Sequence, residues 1–327
     1  MTVLAVESSC DETSVAVIKD GKILSNKTTT QIDIHEKYGG VVPEIAARKH
    51  LEYIIPVFEK ALEEAHIDLH QVDAFAATYG PGLVGSLLVG LSFAKGLSIS
   101  LNKPFIAINH LLGHLYANFI TFPELKTPFI VLLVSGGHTE LFLMENMETI
   151  RKIGQTRDDA AGEAFDKIAR MLDLGYPGGP AIEKAAESGK DIYTFPRSLR
   201  KKNNIDFSFS GLKTSVLYFL RENENFNKED IAASVQSAIV DSLLEKTFLA
   251  ADRFETERIV FAGGVAANRH LRNQAQLMAK KRKKKVYFPP IDLCTDNAGM
   301  IAYAAYKKTK RGDYSPLDIN AVPYLTL

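Results

Sequence analysis

The 327-residue chain has few of the features that assign a protein quickly to a class. Its two cysteines, Cys10 and Cys294, are too few for a disulfide framework and point to a reducing compartment. It has no net charge, since 39 Lys and Arg balance 39 Asp and Glu. That balance excludes a uniformly basic nucleic-acid coat and an acidic tail, though not local patches. No uninterrupted apolar run reaches the roughly 20 residues needed to cross a bilayer. The best candidate, Leu83 to Leu101, is broken by Gly85, Gly90, Lys95 and Gly96. The opening residues have no basic stretch and meet an acid at Glu7, unlike a signal peptide. GxxxxGKS/T does not occur, so a P-loop site is not supported; GxGxxG occurs once, at Gly80 to Gly85 with a proline inside it, and a Rossmann nucleotide site is not expected either. The expectation is a cytoplasmic protein with no membrane partner. At 46% hydrophobic and 24% charged residues, it has the balance of a folded chain with a substantial core.

Regular signals appear against these absences. Residues 3 to 7 and Ser14 to Ile18 read as strands flanking a polar turn, Glu7-Ser-Ser-Cys-Asp-Glu-Thr13, and Asp20-Gly21 opens a third strand to about Thr28. The pattern returns at Phe129 to Val134, the small-residue turn Ser135-Gly-Gly-His-Thr139, and Leu141 to Met144. Each unit is followed by a strand, a glycine turn and a helix. The first is Ala74 to Thr78 with Gly80-Pro-Gly82, and the second is Arg258 to Phe261 with Gly263-Gly264. Repetition in the same order implies an internally duplicated α/β protein with two related lobes and a cleft between them. Pro43 opens a helix through Ala47, Leu51 and Ile55 with a kink at Pro56, Ile231 to Ala251 reads as amphipathic, and a last helix starts near Asn297.

Chemistry-bearing residues gather in the turns. His110 and His114 stand at i and i+4, so on a helix both imidazoles share a face and can reach one cation. Asp292, Cys294 and Asp296 are candidates for a third ligand, although Asp296 would equally suit a helix N-cap. A zinc peptidase needs HExxH with the glutamate as base, and the intervening residues here are Leu, Leu and Gly. Backbone N–H groups of Ser135-Gly136-Gly137 can converge on an anion, unless the glycines serve only a tight hairpin. Asp11 and Glu12 can hold a cation or act as a base. Glu163, Asp166 and Lys167 occupy neighbouring helical positions, Glu183 follows Gly178-Gly179, and Asn268 follows Gly263-Gly264.

Taken together, these motifs resemble one family. The set also includes Tyr79-Gly-Pro-Gly-Leu-Val-Gly-Ser86, Asn109 to His114, Gly162-Glu-Ala-Phe-Asp166, Tyr176-Pro-Gly-Gly-Pro180, Phe207 to Thr214 and Cys294-Thr-Asp-Asn-Ala298. The chain resembles, over essentially its whole length, the bacterial tRNA N6-adenosine threonylcarbamoyltransferases, a family once labelled O-sialoglycoprotein endopeptidase. The resemblance implies a duplicated actin/sugar-kinase/Hsp70-like (ribonuclease H-like) fold. The expected lobes are residues 1–107 plus 297–327 and residues 108–296, the second carrying most of the metal and nucleotide site. It implies one iron(II), or zinc, on His110, His114 and Asp296. Leu133, Val134, Ser135, Gly136 and Gly137 would hold the phosphate and acyl region of threonylcarbamoyl-AMP. Asp166, Gly179 and Glu183 would face the ribose and Asn268 the adenine. Family members often have Asp where this chain has Glu183. Leu133 and His138 stand where archaeal and eukaryotic relatives have Tyr and Asn, so no tyrosinate ligand is available.

The implied reaction transfers threonylcarbamoyl to N6 of adenosine 37 in the anticodon loop of tRNAs reading ANN codons, with Asp11 as general base and Glu12 shaping its turn. Bound ATP or ADP is a further implied occupant. The implied partners are tRNA, an inactive paralogous subunit of the same fold, a small P-loop ATPase, and a separate synthase that supplies the adenylate. Ile45, Leu51, Ile54 and Ile55 are the expected contacts for the paralogue. The alternatives are a metal-dependent glycoprotein endopeptidase and a non-catalytic ATP-binding subunit. The zero charge is also polarised, with 17 basic and 24 acidic residues in 1–190 against 22 and 15 in 191–327. The basic excess lies at Arg197 to Lys202, Lys280 to Lys285 and Lys307 to Arg311. Such runs suit a phosphate backbone.

Overall fold

The alternation read from the sequence becomes two five-stranded sheets of identical strand order. The structure, a computed structural model, describes residues 1–199 and 203–327. In chain order the first set of elements is β1 (Thr2–Glu7), β2 (Glu12–Lys19), β3 (Lys22–Thr30), α1 (Ile32–His35), α2 (Pro43–Ala65), β4 (Ala74–Gly80), α3 (Val84–Leu101), β5 (Phe105–Asn109) and α4 (His110–Thr121). The second set is β6 (Phe129–Val134), β7 (Thr139–Met144), β8 (Ile150–Gln155), α5 (Ala161–Met171), α6 (Gly178–Ala186), α7 (Ser210–Glu222), α8 (Lys228–Arg253), β9 (Arg258–Ala262), α9 (Arg269–Arg282) and β10 (Lys285–Tyr287), with α10 (Ala298–Thr309) closing the chain. One sheet runs β3-β2-β1-β4-β5 and the other β8-β7-β6-β9-β10. In each, the first three strands in sequence are antiparallel and the last two add in parallel.

The chain forms two units, one of Met1–Glu124 with Thr295–Leu327 and the other of Leu125–Cys294. The boundary therefore falls after α4, not at 107/108 as the sequence suggested. The reason is a glycine. A Cβ on Gly113 would stand 2.7 Å from Ile301 Cδ1 and 3.2 Å from Met300 Cγ, so α4 lies flush against α10 within the first unit. Both histidines of the HxxxH pair thus belong to the first unit, together with Asp296.

In the first unit, β1 is buried along its whole length, as a central strand covered on both faces must be. Helix α2 covers the sheet with Ala46, His50, Ile54, Val57, Ala61 and Ala65, and runs on through Pro56. Its buried row is one residue out of step with the expected Ala47–Leu51–Ile55 row, leaving Leu51 65% and Ile55 47% exposed. Helix α3 has 18 residues and a mean hydropathy of 1.6, enough by length and composition to cross a membrane. In this fold it packs Leu91 and Ala94 into the core shared with α2, β1 and β4, and Leu87 is buried as well. In the second unit α8 is buried on nearly every side, so it is a central helix and not the amphipathic one expected.

Candidate metal centre and anion-binding turn

The first site is built where β1 ends. Helix α4 starts immediately after β5, capped by Asn109, whose Oδ1 accepts from Leu111 N and Leu112 N at 2.8 and 3.3 Å. This sharp strand-to-helix passage puts His110 and His114 on one buried face, their ring centroids 4.7 Å apart. Asp296 meets them from the approach to α10, with Oδ1 3.4 Å from His110 Nε2 and 3.1 Å from His114 Nε2. Asp296 is not the helix cap. Asn297 takes that position, accepting from Met300 N at 3.0 Å. Ser14 and Asn26, from β2 and β3, accept from Ala298 N and Gly299 N, and so fix the start of α10. Asp296 is left with its carboxylate aimed at the histidines.

The ligand atoms of His110, His114 and Asp296 lie within 4.8 Å of one another. Two nitrogens and a carboxylate oxygen form the donor set of a first-row divalent ion with open positions. Glu7, which the sequence reading left without a role, completes the arrangement. Its Oε2 accepts from His110 Nδ1 at 3.0 Å and Thr78 Oγ1 at 2.6 Å, and its Oε1 accepts from Ser9 N at 2.5 Å. A carboxylate on Nδ1 keeps a proton there and turns Nε2 toward Asp296, the usual support for a metal-bound imidazole. The pocket is anionic. Burial alone would push His110 down, but Asp296 and Glu7 hold it well above the ordinary imidazole range. Burial pulls His114 below that range. A cation fits this environment.

Asp11 and Glu12 lie in the same turn. Asp11 is buried and hydrogen-bonds Glu12. Burial, then the Asp11 and Asp296 carboxylates, drive Glu12 well above the usual carboxylate range. The turn is pressed in place by the Tyr79–Ser86 motif. Leu83 N donates to Ser9 O at 2.8 Å, and a Cβ on Gly82 would come 2.8 Å from Ser9 Cβ.

In the second unit the equivalent turn is Ser135-Gly136-Gly137-His138, between β6 and β7. Neither Gly136 nor Gly137 has a positive φ, and a Cβ on either would meet nothing within 4 Å. The hairpin therefore does not need these glycines for its own geometry, and they leave backbone open to a ligand. The turn is braced from behind. A Cβ on Gly162 would lie 2.5 Å from Ser135 O and 2.7 Å from Gly136 Cα, so the N-terminus of α5 abuts it. Gly263, at φ +88°, packs against Val134, while Gly264 and Gly179 also face open space. Exposed amides beside a helix N-terminus can attract an anion.

The other expected residues of this unit are partly engaged. Asp166 Oδ1 accepts from Gly178 N at 2.7 Å, and Glu183 Oε1 from Arg269 N at 2.6 Å. Asn268 caps α9 through Leu271 N and donates to Gln236 Oε1 at 2.8 Å. Leu133 and Val134 are fully buried at the end of β6.

A family profile described as tRNA N6-adenosine threonylcarbamoyltransferase matches residues 22–303. The chain belongs to that family. A relative of that description from Kosmotoga olearia is 63% identical over 327 residues, covering 100% of this chain and 99% of the relative. One from Thermosipho africanus is 56% identical over 330 residues, covering 100% of both. Among solved structures, full-length HypF in its phosphate- and nucleotide-bound form aligns with a TM-score of 0.66 at 15% identity, over 96% of this chain and 47% of that one. Component A of Acidaminococcus fermentans (R)-2-hydroxyglutaryl-CoA dehydratase gives 0.56 at 18% identity, over 95% and 98%. These likenesses agree with the duplicated actin-like fold.

Of the three basic runs, Arg200, Lys201 and Lys202 lie outside the described residues. Lys280 to Lys285 ends α9 in the second unit, mostly exposed, with Lys284 half-buried and bonded to Thr256 O at 2.9 Å. Lys307 to Arg311 ends α10 in the first unit, with Lys307 and Lys310 over the rings of Tyr303 and Tyr306. The excess counted in one half of the sequence is thus shared between two units.

Proposed function

We propose that the chain transfers the threonylcarbamoyl group of threonylcarbamoyl-AMP to N6 of adenosine 37 in tRNAs reading ANN codons. The observation that carries this is the His110–His114–Asp296 cluster beside the Asp11–Glu12 turn, in a chain that matches the threonylcarbamoyltransferases end to end. N6 attacks the carbamoyl carbon, the bond from that carbon to the phosphate oxygen breaks, and AMP leaves with the electron pair. Asp11 takes the proton that N6 loses, and Glu12, hydrogen-bonded to Asp11, shapes the turn. An exocyclic aromatic amine is a weak nucleophile, so orientation and charge stabilisation supply most of the rate. A divalent ion, iron(II) in our reading with zinc as the alternative, would be held by His110, His114 and Asp296 and would act as Lewis acid and template for the threonylcarbamoyl oxygens.

The Gly136 and Gly137 amides and the Ser135 hydroxyl hold the phosphate, with Leu133 and Val134 contributing backbone only; the Ser135 N–H closes the turn on His138 O at 2.8 Å. Asp166 and Glu183 shape the ribose side around the open backbone of Gly179, and Asn268 the adenine side; bound ATP or ADP would use the same surface. Lys280 to Lys285 and Lys307 to Arg311 meet tRNA phosphates. The exposed apolar residues Leu51 and Ile55 of α2, with Leu88 of α3, form the face for the paralogous subunit. Of the other expected contacts, Ile54 is buried in the core and Ile45 only partly exposed. A small P-loop ATPase and a separate synthase complete the cytoplasmic system. The peptidase reading lacks its base, because Leu111 stands where HExxH has glutamate. The test is a reconstituted transfer reaction read by nucleoside mass spectrometry. The adenylate, tRNA and partners should yield threonylcarbamoyladenosine; none with the full set would overturn the proposal.

A further inference from the structure

Helix α2 grips the Cys10–Thr13 stretch through polar side chains that the chemistry above does not use. His50 is fully buried, with Nε2 3.0 Å from Cys10 O and Nδ1 2.7 Å from Thr13 Oγ1. A carbonyl oxygen only accepts, so Nε2 carries the hydrogen. Burial lowers the His50 pKa and keeps the ring neutral, so Nδ1 accepts from the Thr13 hydroxyl. Gln31 adds a second tie. Its backbone N donates to Asp11 O at 3.0 Å, and its Nε2 donates to Ala46 O in α2 at 3.3 Å. Gln31 Oε1 pairs with His35 Nε2 at 3.2 Å, and His35 Nδ1 accepts from Val42 N, at the cap of α2, at 3.3 Å. Gln31 and His35 are buried too.

Buried polar groups are costly unless paired, and apolar side chains would pack α2 on β2 without that demand. This set instead joins one helix to Cys10 O and the Thr13 hydroxyl, on either side of Asp11 and Glu12, and through Gln31 to Asp11 O. Both ring nitrogens of His50 are engaged and buried, so it cannot itself exchange a proton with a substrate. We propose that His50, backed by Gln31, is a positioning residue that sets where the Asp11 carboxylate stands. This rests on the reading of Asp11 as general base.

The test is steady-state transfer by the assembled enzyme, with its partners and bound metal, for His50→Ala, His50→Gln, Thr13→Val, Asp11→Ala and the His50→Ala/Asp11→Ala double variant. A displaced base costs rate and not binding. His50→Ala should lower kcat about 10- to 100-fold with the KM for the adenylate and the metal content by elemental analysis unchanged. His50→Gln, whose Nε2 can still donate to Cys10 O, should recover most of the rate, and Thr13→Val should lose part of it. The double variant should be no slower than Asp11→Ala alone, because residues acting as one unit are not additive. Should His50→Ala fail to fold, Thr13→Val carries the comparison, with His50→Gln as its rescued control. An unchanged kcat in folded His50→Ala and Thr13→Val overturns the inference, as does a loss in the double variant equal to the product of the single losses. If Asp11→Ala keeps wild-type kcat, the base assignment itself fails. If Asp11→Ala is slow and the His50 and Thr13 variants are not, only the positioning role fails.

Discussion

Glu7→Gln separates a metal centre from a mere cluster of buried polar groups. Both oxygens of Glu7 act only as acceptors, from Ser9 N, Thr78 Oγ1 and His110 Nδ1. Glutamine offers one acceptor and one donor. With its oxygen toward His110 and Thr78, its NH2 abuts the Ser9 N–H; reversed, its NH2 faces the hydrogen on His110 Nδ1. Either way a buried donor meets a donor, at about 1–3 kcal/mol. His110 also loses the carboxylate that makes Nε2 a better ligand. Such outer carboxylates are worth about 10- to 100-fold in metal affinity, or roughly 1.4–2.7 kcal/mol. The assay is competition for Co(II) or Zn(II) against a chromophoric chelator, with melting of the metal-free and metal-loaded protein alongside. We expect Kd to rise by that factor, and the stabilisation by saturating metal to shrink by roughly 1.4–2.7 kcal/mol. A variant that folds and binds metal within about threefold of wild type would refute the role of Glu7 in holding His110 as a ligand.

Further expectations concern the second unit. Gly136→Ala adds a methyl to open space at an ordinary φ, so stability should change by less than about 1 kcal/mol while the KM for the adenylate rises; an unchanged KM would remove the turn from the binding site. Gly162→Ala drives a Cβ against Ser135 O and Gly136 Cα. It should destabilise by about 1–3 kcal/mol, measured by denaturant unfolding, and a neutral result would show that α5 does not brace the turn. Asp158 accepts from Ser208 Oγ, Phe209 N, Ser210 N and Ser210 Oγ, and so caps α7 from a distance. Burial pushes its carboxyl up, but these bonds hold it below its ordinary 3.8. The stabilisation is therefore complete above pH 3.8 and lost as pH falls below that toward the lower folded value. Asp158→Asn should cost about 1 kcal/mol near neutral pH and nothing in acid. Parallel wild-type and variant curves across that range would contradict the assignment.

The parts of this fold legible in the sequence were those with periodic or turn signals. The two strand–turn–strand units stood out because their turn residues recur at similar offsets, and the HxxxH pair because helical spacing is unambiguous. Helix α2 came out one residue rotated, because Leu51 and Ile55 are apolar yet exposed while His50 is polar yet buried. Helix α8 has small and polar residues on every face, so buried Ser234, Gln236 and Thr247 imitate a solvated side. Glu7, Gln31, His35 and His50 were missed for one reason: a buried polar residue is defined by partners far along the chain. Only Asp296 could be tied to the histidines from sequence, and that through family resemblance. Spacing alone left Asp292 and Cys294 equally open. The lobe to which α4 belongs depends on Gly113 touching α10, a contact across nearly 190 positions that no local pattern records.

The four-residue turns Ser8-Ser9-Cys10-Asp11 and Ser135-Gly136-Gly137-His138 occupy the same place in two copies of one sheet. One carries the Asp11 carboxylate, with Glu7 and Glu12 at the strand ends beside it, and the other carries no carboxylate and exposes Gly136 and Gly137. A single ancestral turn could not do both, since each carboxylate placed there would repel the anion that the amides attract. Doubling the sheet relieves that conflict. Each copy is then free to vary under its own selection.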